Sequence, residues 1–99
     1  MERPLFIGDE VTAAGYRLAG LEIRTPSPQD AQQALEQAGT HFPPLVLLTA
    51  EYAQQVAPDA LDRILGQAHP PVHLVEDAGG RVAVPDLAAR IRSRVGVAG

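Results

Sequence analysis

The chain predicts a single three-layer α/β domain with a four-stranded parallel sheet at its centre and an amphipathic helix at its end. Three observations carry that reading. Short apolar runs recur along the sequence: Leu5-Phe6-Ile7, Leu45-Val46-Leu47-Leu48 and Val72-His73-Leu74-Val75. The first two have no polar alternation, as expected of strands buried on both faces. Helix-start residues and helical periodicity fill the intervals between the runs, which is the pattern of βαβ units around a parallel sheet.

The first strand, Leu5 to Ile7, leads through Gly8 into Asp9, a natural helix N-cap, with Glu10 in the first turn to complement the helix dipole. Val11, Ala14, Gly15 and Leu18 then fall at i, i+3, i+4 and i+7. That spacing predicts one helix face turned to the sheet. Gly15 at its centre costs about 1 kcal/mol relative to Ala, which predicts unusually close backbone packing there. The second strand is the short alternating run Leu21-Glu22-Ile23-Arg24. Ser27 at an N-cap with Pro28 at N1 opens the second helix, whose stripe is Ala31, Ala34, Leu35 and Ala38, with Gly39 at its end.

Leu45 to Leu48 is the best candidate for a central strand, and Thr49 caps a third helix beginning Ala50-Glu51-Tyr52. Pro58 breaks that helix and starts another, with Leu61, Ile64, Leu65 and Ala68 as its buried stripe. His69-Pro70-Pro71 stops it before the fourth strand, and Glu76 to Arg81 reads as a loop. Val82 to Val84 reads as extended, and Pro85 starts the last helix, with Leu87, Ile91 and Val95 at i, i+4 and i+8. Right-handed crossovers then give a three-layer sandwich of four strands, and the expected strand order is 2-1-3-4, the small flavodoxin- or receiver-like arrangement. Residues 1–75 make the α/β core. Residues 76–99 make a loop and C-terminal helix, either part of the same domain or a mobile docking element.

Composition narrows the function classes. The 99 residues are 45% hydrophobic and 20% charged, with a net charge of −4, which suits a globular protein and disfavours nucleic acid as main partner. There is no cysteine, so thiolate catalysis, disulfides and zinc-thiolate sites are excluded. All eight basic residues are arginine, so no chemistry that needs lysine occurs here. No apolar run approaches the ~20 residues of a membrane span. Met1-Glu2-Arg3-Pro4 leads straight into the first strand and leaves no room for a signal peptide, so a cytoplasmic protein is expected.

Catalytic constellations are hard to find. A ligand in such a sheet sits beyond the strands' carboxyl ends, between strands 1 and 3, where Asp9, Glu10 and Thr49 belong. Paired acids there suit Mg²⁺ in phosphorelay receivers, but those also need an Asp where Thr49 stands and a Lys that this chain lacks. Gly8, Gly15 and Gly20 do not have nucleotide-loop spacing. His69 and His73 have no third metal ligand in view, and no base is evident beside Thr12 or Thr49. No enzyme, cofactor or metal site is predicted. Arg90, Arg92 and Arg94 flank the Leu87/Ile91/Val95 stripe of the last helix, and this pairing of apolar and cationic residues suits a protein interface.

Ile7-Gly8-Asp9 followed by Gly15-Tyr16-Arg17-Leu18-Ala19-Gly20 resembles the opening of the F-subunit family of the archaeal/vacuolar-type (A/V-type) rotary ATPases. Leu47-Leu48-Thr49-Ala50-Glu51 and the closing Ile91-Arg92-Ser93-Arg94-Val95-Gly96-Val97 are similar to later segments of that family. The resemblance implies a non-catalytic rotor part of the central stalk, peripheral to the membrane. Its partner would be the long coiled-coil stalk subunit, with the catalytic head as a further contact. Such a protein helps couple ATP turnover in the head to ion transport, or proton transport to ATP synthesis. By position the interface would involve Leu87, Arg90, Ile91, Arg94 and Val95, with Tyr16 and Arg17 on the exposed side of the first helix. The competing expectation is a stand-alone pseudo-receiver that binds a protein partner without phosphorylation.

Overall fold

Three- and four-residue strands hold together here because nearly every one of their side chains in the centre of the sheet is buried. The computed structural model describes residues 3–41 and 43–80. Its elements are β1 (Leu5–Ile7), α1 (Glu10–Leu18), β2 (Glu22–Arg24), a 3₁₀ turn (Pro28–Asp30) running into α2 (Ala31–Gly39), β3 (Val46–Thr49), α3 (Ala50–Ala53), α4 (Pro58–Gly66) and β4 (Val72–Val75). All pairings are parallel and the strand order is β2-β1-β3-β4, as expected from the sequence. The expected strand at Val82–Val84 and the helix from Pro85 lie outside the described residues.

The pleat divides the core in two. Leu5, Ile7, Val46, Leu48 and Val72 join Ala31, Leu35, Leu61 and Ile64 in one cluster, so α2, α3 and α4 cover that face. Phe6 points the other way, fully buried, and its ring stacks on Tyr16 of α1 with centroids 4.7 Å apart. The expected stripe of α2 is borne out, with Ala31, Leu35 and Ala38 buried and Ala34 partly so. In α4 Leu61 and Ile64 are buried and Leu65 half-buried, whereas Ala68 is exposed and lies beyond the helix. Among the described residues no helix is long and apolar enough to cross a membrane.

The expected packing of α1 is overturned. Val11 and Leu18 are 74% and 92% exposed, and Ala14 and Gly15 are exposed with them. The sheet-facing residues are Thr12, Ala13 and the half-buried Tyr16. A Cβ built on Gly15 would meet nothing within 4 Å, so this glycine permits no close approach to the sheet. The reason is rotational phase: the Tyr16 ring seats on Phe6 and Thr12 is bonded at the helix start, which turns the aliphatic stripe outward. The helix ends in a Schellman-type cap, with Gly20 at φ +92° donating to Arg17 O and Leu21 to Tyr16 O.

The glycine that does set a close approach is Gly8. A Cβ there would lie 2.6 Å from Thr49 Cγ2 and 2.7 Å from Phe6 Cζ. Gly8→Ala is therefore expected to destabilise the domain by about 1–3 kcal/mol through overpacking. Gly15→Ala should instead stabilise it by up to about 1 kcal/mol, since Ala is the better helix former and the site is open. Urea unfolding of the two variants checks both signs; a destabilised Gly15→Ala with an unaffected Gly8→Ala would show the packing to be assigned to the wrong glycine.

Candidate functional site

The carboxyl ends of β1 and β3 are where a parallel sheet of this order presents a crevice. Asp9, first residue past the β1 turn, caps α1. Its Oδ2 accepts from Thr12 N at 3.0 Å and its Oδ1 from Thr12 Oγ1 at 2.7 Å. A carboxylate thus does sit beside Thr12, contrary to expectation from the sequence. The same hydroxyl oxygen accepts the backbone N–H of Ala78 at 2.8 Å, so it serves as a link between segments. Glu10 is exposed; it pairs with Arg17 at 3.5 Å and accepts from Thr25 Oγ1 at 3.0 Å.

Thr49 is fully buried, and its Oγ1 accepts from Tyr52 N, which starts α3 as the sequence predicts. Tyr52 itself is buried, and its hydroxyl donates to Pro26 O at 2.7 Å, tying α3 to the β2–α2 connection. Beyond β4, Asp77 is buried at 4% exposure and organises a tight turn. Its Oδ2 accepts from Gly79 N at 3.0 Å and its carbonyl from Gly80 N at 2.9 Å, with Gly80 at φ +61°. The three successive amides of residues 78, 79 and 80 are all satisfied in this way.

Burial, and after it the negative charges of Asp9, Glu51 and Glu10, push the Tyr52 phenol above its ordinary 10.0. The neutral phenol is the form that donates to Pro26. Among the described residues no group of three or more His, Asp or Glu side chains is placed to hold a metal ion. His69 and His73 are both exposed. What this edge does chemically is join segments: a cap, a hydroxyl link and a phenol strap fasten α1, the β2–α2 connection, α3 and the β4 turn to one another.

The residues predicted for an interface divide in two. Leu87, Arg90, Ile91, Arg94 and Val95 lie outside the described residues. Of the other two, Arg17 is exposed as expected, but Tyr16 is half-buried against Phe6 and is not on the outer side of α1. The exposed residues of that helix that sequence periodicity assigns to the core are Val11, Ala14, Gly15 and Leu18. Sequence reading also missed Thr12, Tyr52 and Asp77 as structural polar groups. Asp77 before Gly79-Gly80 is a recognisable Asx-turn signal, but nothing local marks Thr12 as the acceptor of an amide 66 residues away.

No protein-family model matches this chain, and no curated protein matches it.

The phenol strap has a pH signature. In the unfolded chain Tyr52 ionises near its ordinary value, whereas the folded protein resists ionisation. Its stabilising contribution is therefore complete below pH 10 and lost as pH rises through the folded value. Urea midpoints should fall from about pH 10 upward, in a window free of lysine and cysteine titration. Tyr52→Phe should cost about 1 kcal/mol at neutral pH and flatten that fall. An undiminished alkaline fall in Tyr52→Phe would assign it to other groups.

Proposed function

We propose that this protein is a non-catalytic binding subunit that docks on a helical partner, in the manner of the F-subunit family on the coiled-coil component of a rotary ATPase central stalk. The observation that carries the reading is the outward face of α1. Val11 and Leu18 stand one heptad apart, 74% and 92% exposed, with the exposed small residues Ala14 and Gly15 between them. Apolar residues at i and i+7 with small ones at i+3 and i+4 form the seam that a second helix packs against. An open Gly15 lets a partner backbone come close. This stripe lies within the block that resembles the rotary-ATPase family, and the parallel order β2-β1-β3-β4 agrees with the fold that resemblance implies.

The carboxyl edge is consistent with a binding role. Both Asp9 oxygens accept from Thr12, and the Thr12, Thr49 and Tyr52 hydroxyls are used in holding segments together. In this reading the domain is a rigid cam: the edge fixes the orientation of α1, and α1 carries the contact. Coupling of ATP turnover to ion transport would belong to the assembly, with this chain as one of its rotor parts.

Co-expression with the coiled-coil stalk subunit of the same organism, followed by size-exclusion chromatography, tests the proposal. A stoichiometric complex is expected. Leu18→Asp should weaken it at least tenfold, roughly 1.4 kcal/mol, with the melting midpoint of the isolated chain unchanged. Ile91→Asp serves as the comparison for the C-terminal segment that the family resemblance assigns to the interface. No complex with both chains folded would overturn the stalk reading and favour a stand-alone pseudo-receiver that binds another protein. A complex weakened by Ile91→Asp but untouched by Leu18→Asp would move the contact off α1.

A further inference from the structure

At the edge of the sheet formed by β2, on the side covered by α2, lies a cavity of about 410 Å³ that no part of the stalk reading uses. Its floor is apolar: Leu5 of β1, Ala38 in the last turn of α2, and Pro43. Two guanidiniums and an imidazole also line it: Arg3 ahead of β1, Arg24 at the end of β2 and His41 just past α2. Glu22 also lines it, in register with Leu5. The volume falls in the range of small-ligand pockets, in which an apolar body is held by a few placed polar groups.

The charges are available. Arg24 meets Glu22 only at 3.7 Å, with both side chains about half exposed, so the pair is weak and readily exchanged for a better partner. Arg3 has no carboxylate partner among the described residues. His41 is placed by its own backbone, whose N–H donates to Ala38 O at 3.1 Å. Guanidinium groups match phosphate oxygens with paired donors. Two guanidiniums against the one carboxylate of Glu22 leave the hollow net positive, which suits an anion with oxygens for paired donors.

We propose that this cavity binds a phosphate monoester carried on a small apolar body, the phosphate held by the guanidiniums that line it, Arg24 foremost, and the body on Leu5, Ala38 and Pro43. Glu22 opposes the ligand by its charge and by holding Arg24. The site is independent of the helical docking face of α1.

Phenyl phosphate, inorganic phosphate and benzoate, titrated into the full chain and followed by NMR chemical shifts, test the assignment. Phenyl phosphate should saturate with shifts at Arg3, Arg24 and His41, and bind about tenfold more tightly than inorganic phosphate, from burial of the ring. Arg24→Gln should weaken phenyl phosphate by about tenfold or more, the loss of a charge-assisted pair. Glu22→Gln should strengthen it severalfold, an effect of opposite sign that general damage to the fold does not produce. The proposal is overturned if phenyl phosphate gives no saturable shifts. It is overturned equally if benzoate binds as tightly, or if neither substitution changes the affinity.

Discussion

Thr12 Oγ1 donates to Asp9 and accepts from the amide of Ala78, so one buried hydroxyl joins the first β–α turn to the chain leaving the last described strand. The two bonds are worth little individually, about 1 kcal/mol each, but turning Thr12 away would break both at once and leave the part-buried Ala78 amide without its acceptor. That cost fixes Thr12 inward. With Thr12 inward and Tyr16 on Phe6, a nine-residue helix has no rotational freedom left, and Val11 and Leu18 must face solvent. The outward stripe is thus a consequence of the polar edge as much as of the apolar core.

Gly8 belongs to the same constraint. The Phe6 ring and the Thr49 methyl occupy the space a side chain would need, and this brings β3 and its Thr49 cap close against the β1–α1 turn. Thr49 in turn starts α3, and α3 delivers Tyr52 to Pro26. Small residues and hydroxyls at the carboxyl edge therefore draw the loops together.

The strands were legible because their side chains leave only one solution. Leu5-Phe6-Ile7 and Val46 to Leu48 are too apolar and too short for anything except buried strands, and they mark the centre of the sheet. Asp9, Thr49 and Pro58 were readable as helix starts because capping is local chemistry. The phase of α1 was not, since periodicity finds a stripe but does not say which way it faces. Two stripes compete on that helix, and an aromatic contact with a polar link outweighs four aliphatic or small residues. The edge network was invisible for a different reason: Thr12 with Ala78, and Tyr52 with Pro26, are contacts that only the topology creates.

Amide hydrogen exchange at Ala78 tests the hydroxyl link most directly, in the native chain and in the near-isosteric Thr12→Val. The hydroxyl link predicts a protected Ala78 amide that becomes freely exchanging in Thr12→Val while the amides of β1 and β3 stay protected, with Thr12→Ser keeping most of the protection. An Ala78 amide that exchanges freely in the native chain, or one indifferent to loss of the Thr12 hydroxyl, would contradict it.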